Sequence, residues 1–176
     1  MTQPFEKQKA RSDEWYTPAS RVETIERYLP KGITIWCPFD TEQSNFVKVL
    51  QEGRKIVHSH IRDGQDFFTY EPPEPYDCII SNPPFSLRDD IYKRLFEIGK
   101  PFAMLMNFSG IFDSKKRYSL FSKNGVQLLI PQGRTAFFND YDNPIAMGTP
   151  AFQTVYVCWH LLARDIILLI SMGEAR

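Results

Sequence analysis

The sequence predicts an α/β fold in which a mostly parallel sheet is covered by helices on both faces. Short apolar runs that are typical of strands alternate along the chain with segments of helical periodicity. The strand-like runs are continuously apolar, which indicates burial on both faces of a sheet. With 176 residues, 43% of them hydrophobic, the chain is long enough to form one such domain around a substantial core.

The N-terminal region is predicted to contain a disordered arm, residues 1–13, followed by one helix. Thr17 is the expected N-cap of this helix, Pro18 its first residue and Pro30 its stop. We expect residues 14–176 to form a single domain. The side chains on the apolar face of the first helix are Val22, Ile25 and Leu29.

Strand and helix signals alternate through the rest of the chain. In the helix that follows "NPPF", Ser86 and Asp89 have the spacing of a capping box, and Gly99 is the expected end. The elements expected in order are a strand at 33–37, a helix at 41–53, strands at 55–61 and 76–81, a helix at 86–99, a strand at 101–107, a partly helical stretch at 111–124, and strands at 126–131 and 152–162.

Composition narrows the possible functions. The 21 basic residues equal the 21 acidic ones, so any contact with a polyanion must come from a local patch. The three cysteines, Cys37, Cys78 and Cys158, are widely spaced in apolar runs and are expected to be reduced thiols. His58 and His60 lack a third ligand at metal-binding spacing, so we expect no metal. No apolar run reaches the length of a membrane span, and we expect a cytoplasmic protein.

The stretch Asn82-Pro83-Pro84-Phe85 ends a buried strand, at the edge of the sheet where ligands bind in open α/β folds. Pro84 restricts Pro83 to extended backbone, so the carbonyl oxygen of Pro83 becomes a rigid acceptor. Asn82 adds an amide oxygen and Phe85 an aromatic face. This set suits a planar substrate with an NH2 group, either the exocyclic amine of a base or an amide. Hydrogen bonds accepted from the NH2 localise its lone pair toward an electrophile, which stabilises the transition state.

The motif and its flanks resemble the S-adenosylmethionine-dependent adenine-N6 DNA methyltransferases, in particular the small ones of bacteriophages and prophages. The resemblance rests on "DEWYTP" (13–18), "IWCPFD" (35–40), "SHIRDGQDFF" (59–68) and "YDCIISNPPFS" (76–86), and extends loosely to about residue 165. It implies a Rossmann-like class I methyltransferase fold with a seven-stranded sheet whose last hairpin, 126–160, is antiparallel. It also implies S-adenosylmethionine as cofactor, N6 of adenine in DNA as acceptor, and no separate target-recognition domain.

The resemblance implies a role for each matching residue. Asn82 and Pro83 hold the target amine, Pro84 completes the catalytic motif, and Phe85 stacks on the flipped base. Asp66 accepts from the amino group of the cofactor's adenine. The cofactor-binding residues implied are Trp15, Tyr16, Thr17, Pro18, Cys37, Pro38, Phe39, Asp40, His60, Asp66, Phe67 and Asn82.

The match departs from the family pattern at two places. The segment after the first strand, "CPFDTEQSNF", has no glycine, although the amide groups that begin the next helix could hold the methionine carboxylate. The second strand ends in "HSHI", which leaves the contact with the cofactor ribose unassigned.

Contact with DNA is expected from a local basic patch, with ordinary solvated surface as the alternative. Because little chain lies outside the sheet, we expect a short recognition site or help from a second copy or a specificity partner, with segments 107–124 and 138–152 reading the bases. The expected basic patch consists of Lys115, Lys116, Arg117 and Arg134.

Other functions remain open: methylation of RNA adenine, methylation of a glutamine amide, or a cofactor-binding but inactive interaction protein.

Overall fold

The computed structural model describes residues 16–138 and 152–169, without the side chain of Leu169. The expected disordered arm, Trp15 and most of the expected base-reading loop at 138–152 lie outside these residues. Within them, the helices are α1 (Ala19–Glu26), α2 (Asn45–Leu50), α3 (Arg88–Ile98) and α4 (Lys115–Asn124). The strands are β1 (Thr34–Cys37), β2 (Lys55–His58), β3 (Cys78–Ser81), β4 (Phe102–Asn107), β5 (Gln127–Pro131), β6 (Arg134–Thr135), β7 (Phe152–Trp159) and β8 (Ile166–Leu169).

Strand order reverses at β1. β2 pairs with one edge of β1 and β3 with the other, both in parallel, and β4 continues the parallel set beyond β3. β7 pairs antiparallel with β4 and with β5, which gives the order β2-β1-β3-β4-β7-β5-β8. The reversal creates a topological switch point between the carboxyl ends of β1 and β3, which is where open α/β sheets bind ligands.

The sheet separates two apolar layers. One layer is built from α1 and α2, and the other from α3 and α4. Along β1, Ile35 and Cys37 face the first layer and Trp36 faces the second, because successive side chains of a strand point to opposite faces. The predicted arrangement, a mostly parallel sheet with helices on both faces, is therefore confirmed.

The last strands confirm one expectation and correct another. The antiparallel pairing of β5 with β7 is the expected terminal hairpin at 126–160. The sheet of the described residues has eight strands, not the expected seven, because β6 pairs with β7 and β8 pairs in parallel with β5. Arg164 and Asp165 precede β8, so they interrupt the apolar sequence without preventing strand pairing.

Two expected helix starts are wrong. Pro18 is the N-cap of α1 and has extended backbone (φ −64°, ψ 145°), so Thr17 lies one residue too early to cap the helix. Ser86 lies in a 3₁₀ turn, Phe85–Leu87, and α3 begins at Arg88. Asp89 therefore does not form a capping box with Ser86, and its carboxylate contacts α4 instead.

A buried ion pair joins α3 to α4. The side chain of Arg117 is 4% exposed, and its guanidinium pairs with the carboxylate of Asp89, whose side chain is 32% exposed. Its other nitrogens donate to the carbonyl oxygens of Gly110 and Ile111, and Ser114 Oγ donates to the second Asp89 oxygen at 2.6 Å. The pair thus fixes the segment between β4 and α4.

No helix of the described residues is long and apolar enough to cross a membrane.

Replacing Asp89 with alanine should lower the free energy of unfolding by about 3 kcal/mol, because the charge of Arg117 would remain buried without its partner. Urea unfolding at neutral pH measures this loss. Lys93→Ala is the matched control, since it breaks an exposed ion pair with Glu97 in the same helix, with side chains 67% and 60% exposed. The control should cost less than about 1 kcal/mol. Equal losses in the two variants would contradict the structural role of the Asp89–Arg117 pair.

Candidate active site

The segments that leave β1 and β3 are held together by the carboxylate of Asp40. This side chain is 4% exposed, and its two oxygens accept hydrogen bonds from the hydroxyls of Ser44 and Ser81. Ser44 is the N-cap residue of α2, and Ser81 is the last residue of β3. Since Ser81 directly precedes Asn82, the Asp40 carboxylate connects the expected cofactor segment to the expected catalytic motif.

The environment of Asp40 changes its acidity. Burial raises its pKa to about 6, and the hydrogen bonds from Ser44 and Ser81 oppose part of that rise because they favour the ionised form. The backbone amide of Asp40 also donates to the carbonyl of Ser59 at 3.3 Å, and the backbone amide of Ser59 donates to the carbonyl of Cys37. The loop after β1 is therefore fixed on both sides, to β2 through its backbone and to β3 through its side chain.

The Asn82-Pro83-Pro84-Phe85 motif lies at the carboxyl end of β3, as expected. The amide oxygen of Asn82 is buried, as is Pro83, while Pro84 has extended backbone (φ −62°, ψ 123°) and leads into the 3₁₀ turn. The half-buried ring of Phe85 contacts two further aromatic rings edge to face: Phe137, with ring centroids 6.4 Å apart, and Phe152, at 5.8 Å.

The segment Tyr16–Pro18 crosses the start of α2. Tyr16 exchanges two backbone hydrogen bonds with Phe138, at 2.7 and 3.1 Å, and their ring centroids lie 5.7 Å apart. The carbonyl of Thr17 accepts from Asn45 Nδ2 at 2.8 Å. Thr17 is 3% exposed, and its hydroxyl forms no hydrogen bond with any described residue.

The predicted residues beyond β2 shape the loop there. His60 Nδ1 accepts from the amide of Arg62 at 3.1 Å, and Asp66 Oδ1 accepts from the amide of Phe68 at 3.0 Å. Asp66 therefore caps a turn with one of its two oxygens. Phe67 is 2% exposed and packs against Trp36 and Phe39, with ring centroids 5.6 and 4.9 Å apart.

The predicted basic patch loses one member. Lys115, Lys116 and Arg134 are exposed. Arg117 is buried, and its guanidinium is engaged by Asp89 and by two backbone carbonyls, so its assignment to a phosphate-contacting surface is wrong. A charge run along a helix does not show which of its members faces inward.

Sequence reasoning missed the residues that hold the site together. Ser44 and Ser81 are separated by 37 positions and meet only through Asp40, and Phe137 reaches Phe85 from beyond β6. No local spacing signals these contacts. Among the described residues, no group of three His, Cys, Asp or Glu side chains is arranged to bind a metal ion.

Comparison with solved structures supports the fold. No protein-family model and no curated protein matches the sequence. A modification subunit of a putative type I restriction enzyme from Vibrio vulnificus YJ016 matches over 93% of this chain, with 14% identity and a TM-score of 0.54. The chain spans about half of that subunit, 49%. The 23S rRNA methyltransferase ErmE matches over 86% of this chain and 72% of its own, with 10% identity and a TM-score of 0.49. The chain therefore shares the α/β fold of the modification subunit, as expected for a Rossmann-like sheet.

Asp40→Asn should flatten the dependence of stability on pH. The folded-state pKa, about 6, lies above the ordinary value of 3.8, so the folded chain binds this proton more tightly than the unfolded chain. The resulting stabilisation is fully present at low pH and is lost as the pH rises through about 6. Asparagine has the same shape and does not titrate, so the variant should lose this component. Urea unfolding at about pH 5 and about pH 8 measures it. Identical pH profiles for the variant and the wild type would contradict the assignment.

Proposed function

We propose that this chain transfers a methyl group from S-adenosylmethionine to the exocyclic N6 of adenine in DNA. The observation that carries the proposal is the position of the Asn82–Phe85 motif at the carboxyl end of β3, next to the switch point and joined to the loop after β1 through Asp40. The similarity in fold to a restriction-enzyme modification subunit supports DNA as the substrate.

The residues around the switch point fit the proposed cofactor. Thr17 is buried with an unsatisfied hydroxyl, and a ligand beside the start of α2 would give that hydroxyl a partner. Tyr92 Oη and Arg94 Nε are also buried without a hydrogen bond, but they lie on the α3 side of the sheet. The hydroxyl of Thr17 therefore points to a ligand at this site. Asp66 still has one carboxylate oxygen outside its turn, as the proposed contact with the adenine amine requires.

The proposed reaction requires a bound methyl donor and two fixed hydrogen-bond acceptors, at Asn82 and Pro83. When bound, S-adenosylmethionine would supply the electrophilic methyl group: the N–C bond to the target amine would form as the S–C bond breaks, the demethylated thioether would leave, and the amine would release one proton. The amide oxygen of Asn82 and the carbonyl oxygen of Pro83 accept the two hydrogens of the target amine, so its lone pair is turned away from the ring and toward the methyl donor. Because Ser81 is held by Asp40, these acceptors are positioned before the substrate binds, and little reorganisation is needed.

Target recognition is proposed to involve a second subunit or another protein. The motif carries no base-reading side chains other than Phe85, and each bidentate contact adds only about 1–3 kcal/mol of discrimination. The neutral net charge also implies weak, salt-sensitive binding of duplex DNA by one copy alone.

Thr17→Val should weaken binding of S-adenosylmethionine about threefold to tenfold, because one hydrogen bond to the ligand is lost, without lowering the stability of the free protein. Isothermal titration calorimetry measures the affinity. Thr24→Val is the matched control, since the hydroxyl of Thr24 donates to Arg21 within α1. A wild-type chain that is folded and gives no heat with S-adenosylmethionine or its demethylated product would contradict the proposed cofactor.

Asn82→Ala should leave affinity for S-adenosylmethionine nearly unchanged and reduce methyl transfer by a factor of about 10² to 10³, because a preorganised acceptor is lost. The measurement is transfer of radiolabelled methyl groups to DNA, followed by nucleoside analysis for N6-methyladenine. Gln51→Ala, which removes an exposed amide at the end of α2, is the matched control and should retain activity.

The substrate panel for this experiment includes RNA and a glutamine-containing peptide beside DNA. Transfer to either of these alone would contradict the proposed substrate. Cofactor binding with no transfer to any of them would contradict the proposed enzyme. Wild-type turnover by Asn82→Ala would contradict the role of the motif.

A further inference from the structure

An open groove runs along the outer face of α4. Lys115, Tyr118, Ser119 and Ser122 occupy positions i, i+3, i+4 and i+7 of this helix and therefore share one face, opposite the buried Arg117. The groove has a volume of about 530 Å³. The residues that line it are Phe112, Asp113, Lys115, Tyr118, Ser119, Ser122 and Lys123.

Two aromatic rings in this groove face the solvent. Phe112 is 45% exposed and Tyr118 is 59% exposed. Phe112 is also anchored, because its ring meets the buried Phe121 edge to face with centroids 6.1 Å apart. The backbone before it is fixed by Arg117, which binds the carbonyls of Gly110 and Ile111. Phe112 thus presents a ring held from beneath and open above.

A second groove neighbours the groove on α4. It has a volume of about 510 Å³, and its lining includes Phe85, Arg88 and Lys116. Asp113 lines both grooves, so they are adjacent on the surface. The two grooves together define the path that a chain leaving the site at Phe85 would follow toward Phe112.

The charge of this path is positive, although the whole chain is neutral. Its basic residues outside the Asp89–Arg117 pair are Arg88, Lys115, Lys116 and Lys123, against the acidic residues Asp90 and Asp113. Hydroxyl groups from Ser119 and Ser122 stand between the lysines. A surface with cations, hydroxyl donors and exposed aromatic rings has the properties that bind a polyanion carrying flat, apolar groups.

We propose that the groove on α4 binds an unpaired nucleic-acid strand that flanks the target base, with bases stacking on Phe112 and Tyr118 and phosphates near Lys115 and Lys123. The inference rests on the proposed function, because the strand is placed by the adjacent groove at Phe85. A duplex would account for the lysines but not for the rings, since its bases are stacked on one another and cannot reach a surface side chain. Single-stranded or locally opened DNA is therefore the preferred form of the substrate on this face.

The test compares binding of a fluorescein-labelled oligonucleotide of about 16 nucleotides, single-stranded or annealed, by fluorescence anisotropy without cofactor. The double variant Phe112→Ala, Tyr118→Ala should bind the single strand about 5-fold to 100-fold more weakly than the wild type. The matched double variant Phe112→Tyr, Tyr118→Phe keeps both rings and should bind like the wild type. Lys55→Ala removes one exposed charge outside the groove, at the amino end of β2, and should also bind like the wild type. Tyr118→Ala alone serves if the loss of Phe112 impairs folding, because Tyr118 is mostly exposed.

The outcomes separate this inference from the proposed function. Equal binding of the single strand by the alanine variants and the wild type would overturn the proposed role of the groove, even if the enzyme methylates DNA. Tighter binding of the duplex than of the single strand, with no effect of the rings, would also overturn it. Loss of single-strand binding in the alanine variants of a chain that transfers no methyl group would support the groove and contradict only the proposed reaction.

Discussion

The structure around the switch point depends on one buried carboxylate. A charge that is removed from water must be compensated by hydrogen bonds, and Asp40 finds them in two hydroxyls that belong to different elements, Ser44 at α2 and Ser81 at β3. Local sequence does not require these elements to meet. The need to satisfy Asp40 therefore adds a specific contact to the general apolar packing of the sheet, and it does so beside the residues with the most evident chemistry. Packing alone would tolerate small displacements of these loops, whereas a doubly bonded carboxylate restricts them.

The sequence predicts those parts of the fold that follow from burial on both faces of the sheet. Runs such as "CIIS" and "FAMLMN" are apolar throughout because β3 and β4 are central strands, and both appear near their expected positions. β8 was not predicted, because it is an edge strand in which Ile166 and Leu168 are 61% and 72% exposed. Its apolar run could not be distinguished from an irregular C-terminal segment. Helix starts were also misplaced, because a side chain that can cap a helix can equally bond elsewhere, as Asp89 does.

The candidate site shows the same division between local and distant information. The Asn82–Phe85 motif could be identified because its chemistry is contained in four adjacent residues. Arg117 could not be separated from its neighbours Lys115 and Lys116 by sequence, since only the packing of α4 on α3 turns it inward. The unsatisfied hydroxyl of Thr17 likewise appears only when the segment is placed over Asn45. The environment of each of these residues is formed by elements that are distant in sequence, and contacts of this kind cannot be read from a single sequence.

The two layers of the sheet carry different parts of the proposed chemistry. Thr17, Ser44 and Asn45 belong to the layer of α1 and α2, while the grooves beside Arg88 and along α4 belong to the layer of α3 and α4. Among the described residues, Phe85 packs partly buried against the apolar cluster of each layer and so touches both. A reaction between a cofactor on one side and a strand of nucleic acid on the other needs a meeting point that both layers hold in place. The end of β3 is that point. Asp40 holds it through the hydrogen bond from Ser81, and the Asp89–Arg117 pair fixes the neighbouring helices α3 and α4 of the second layer.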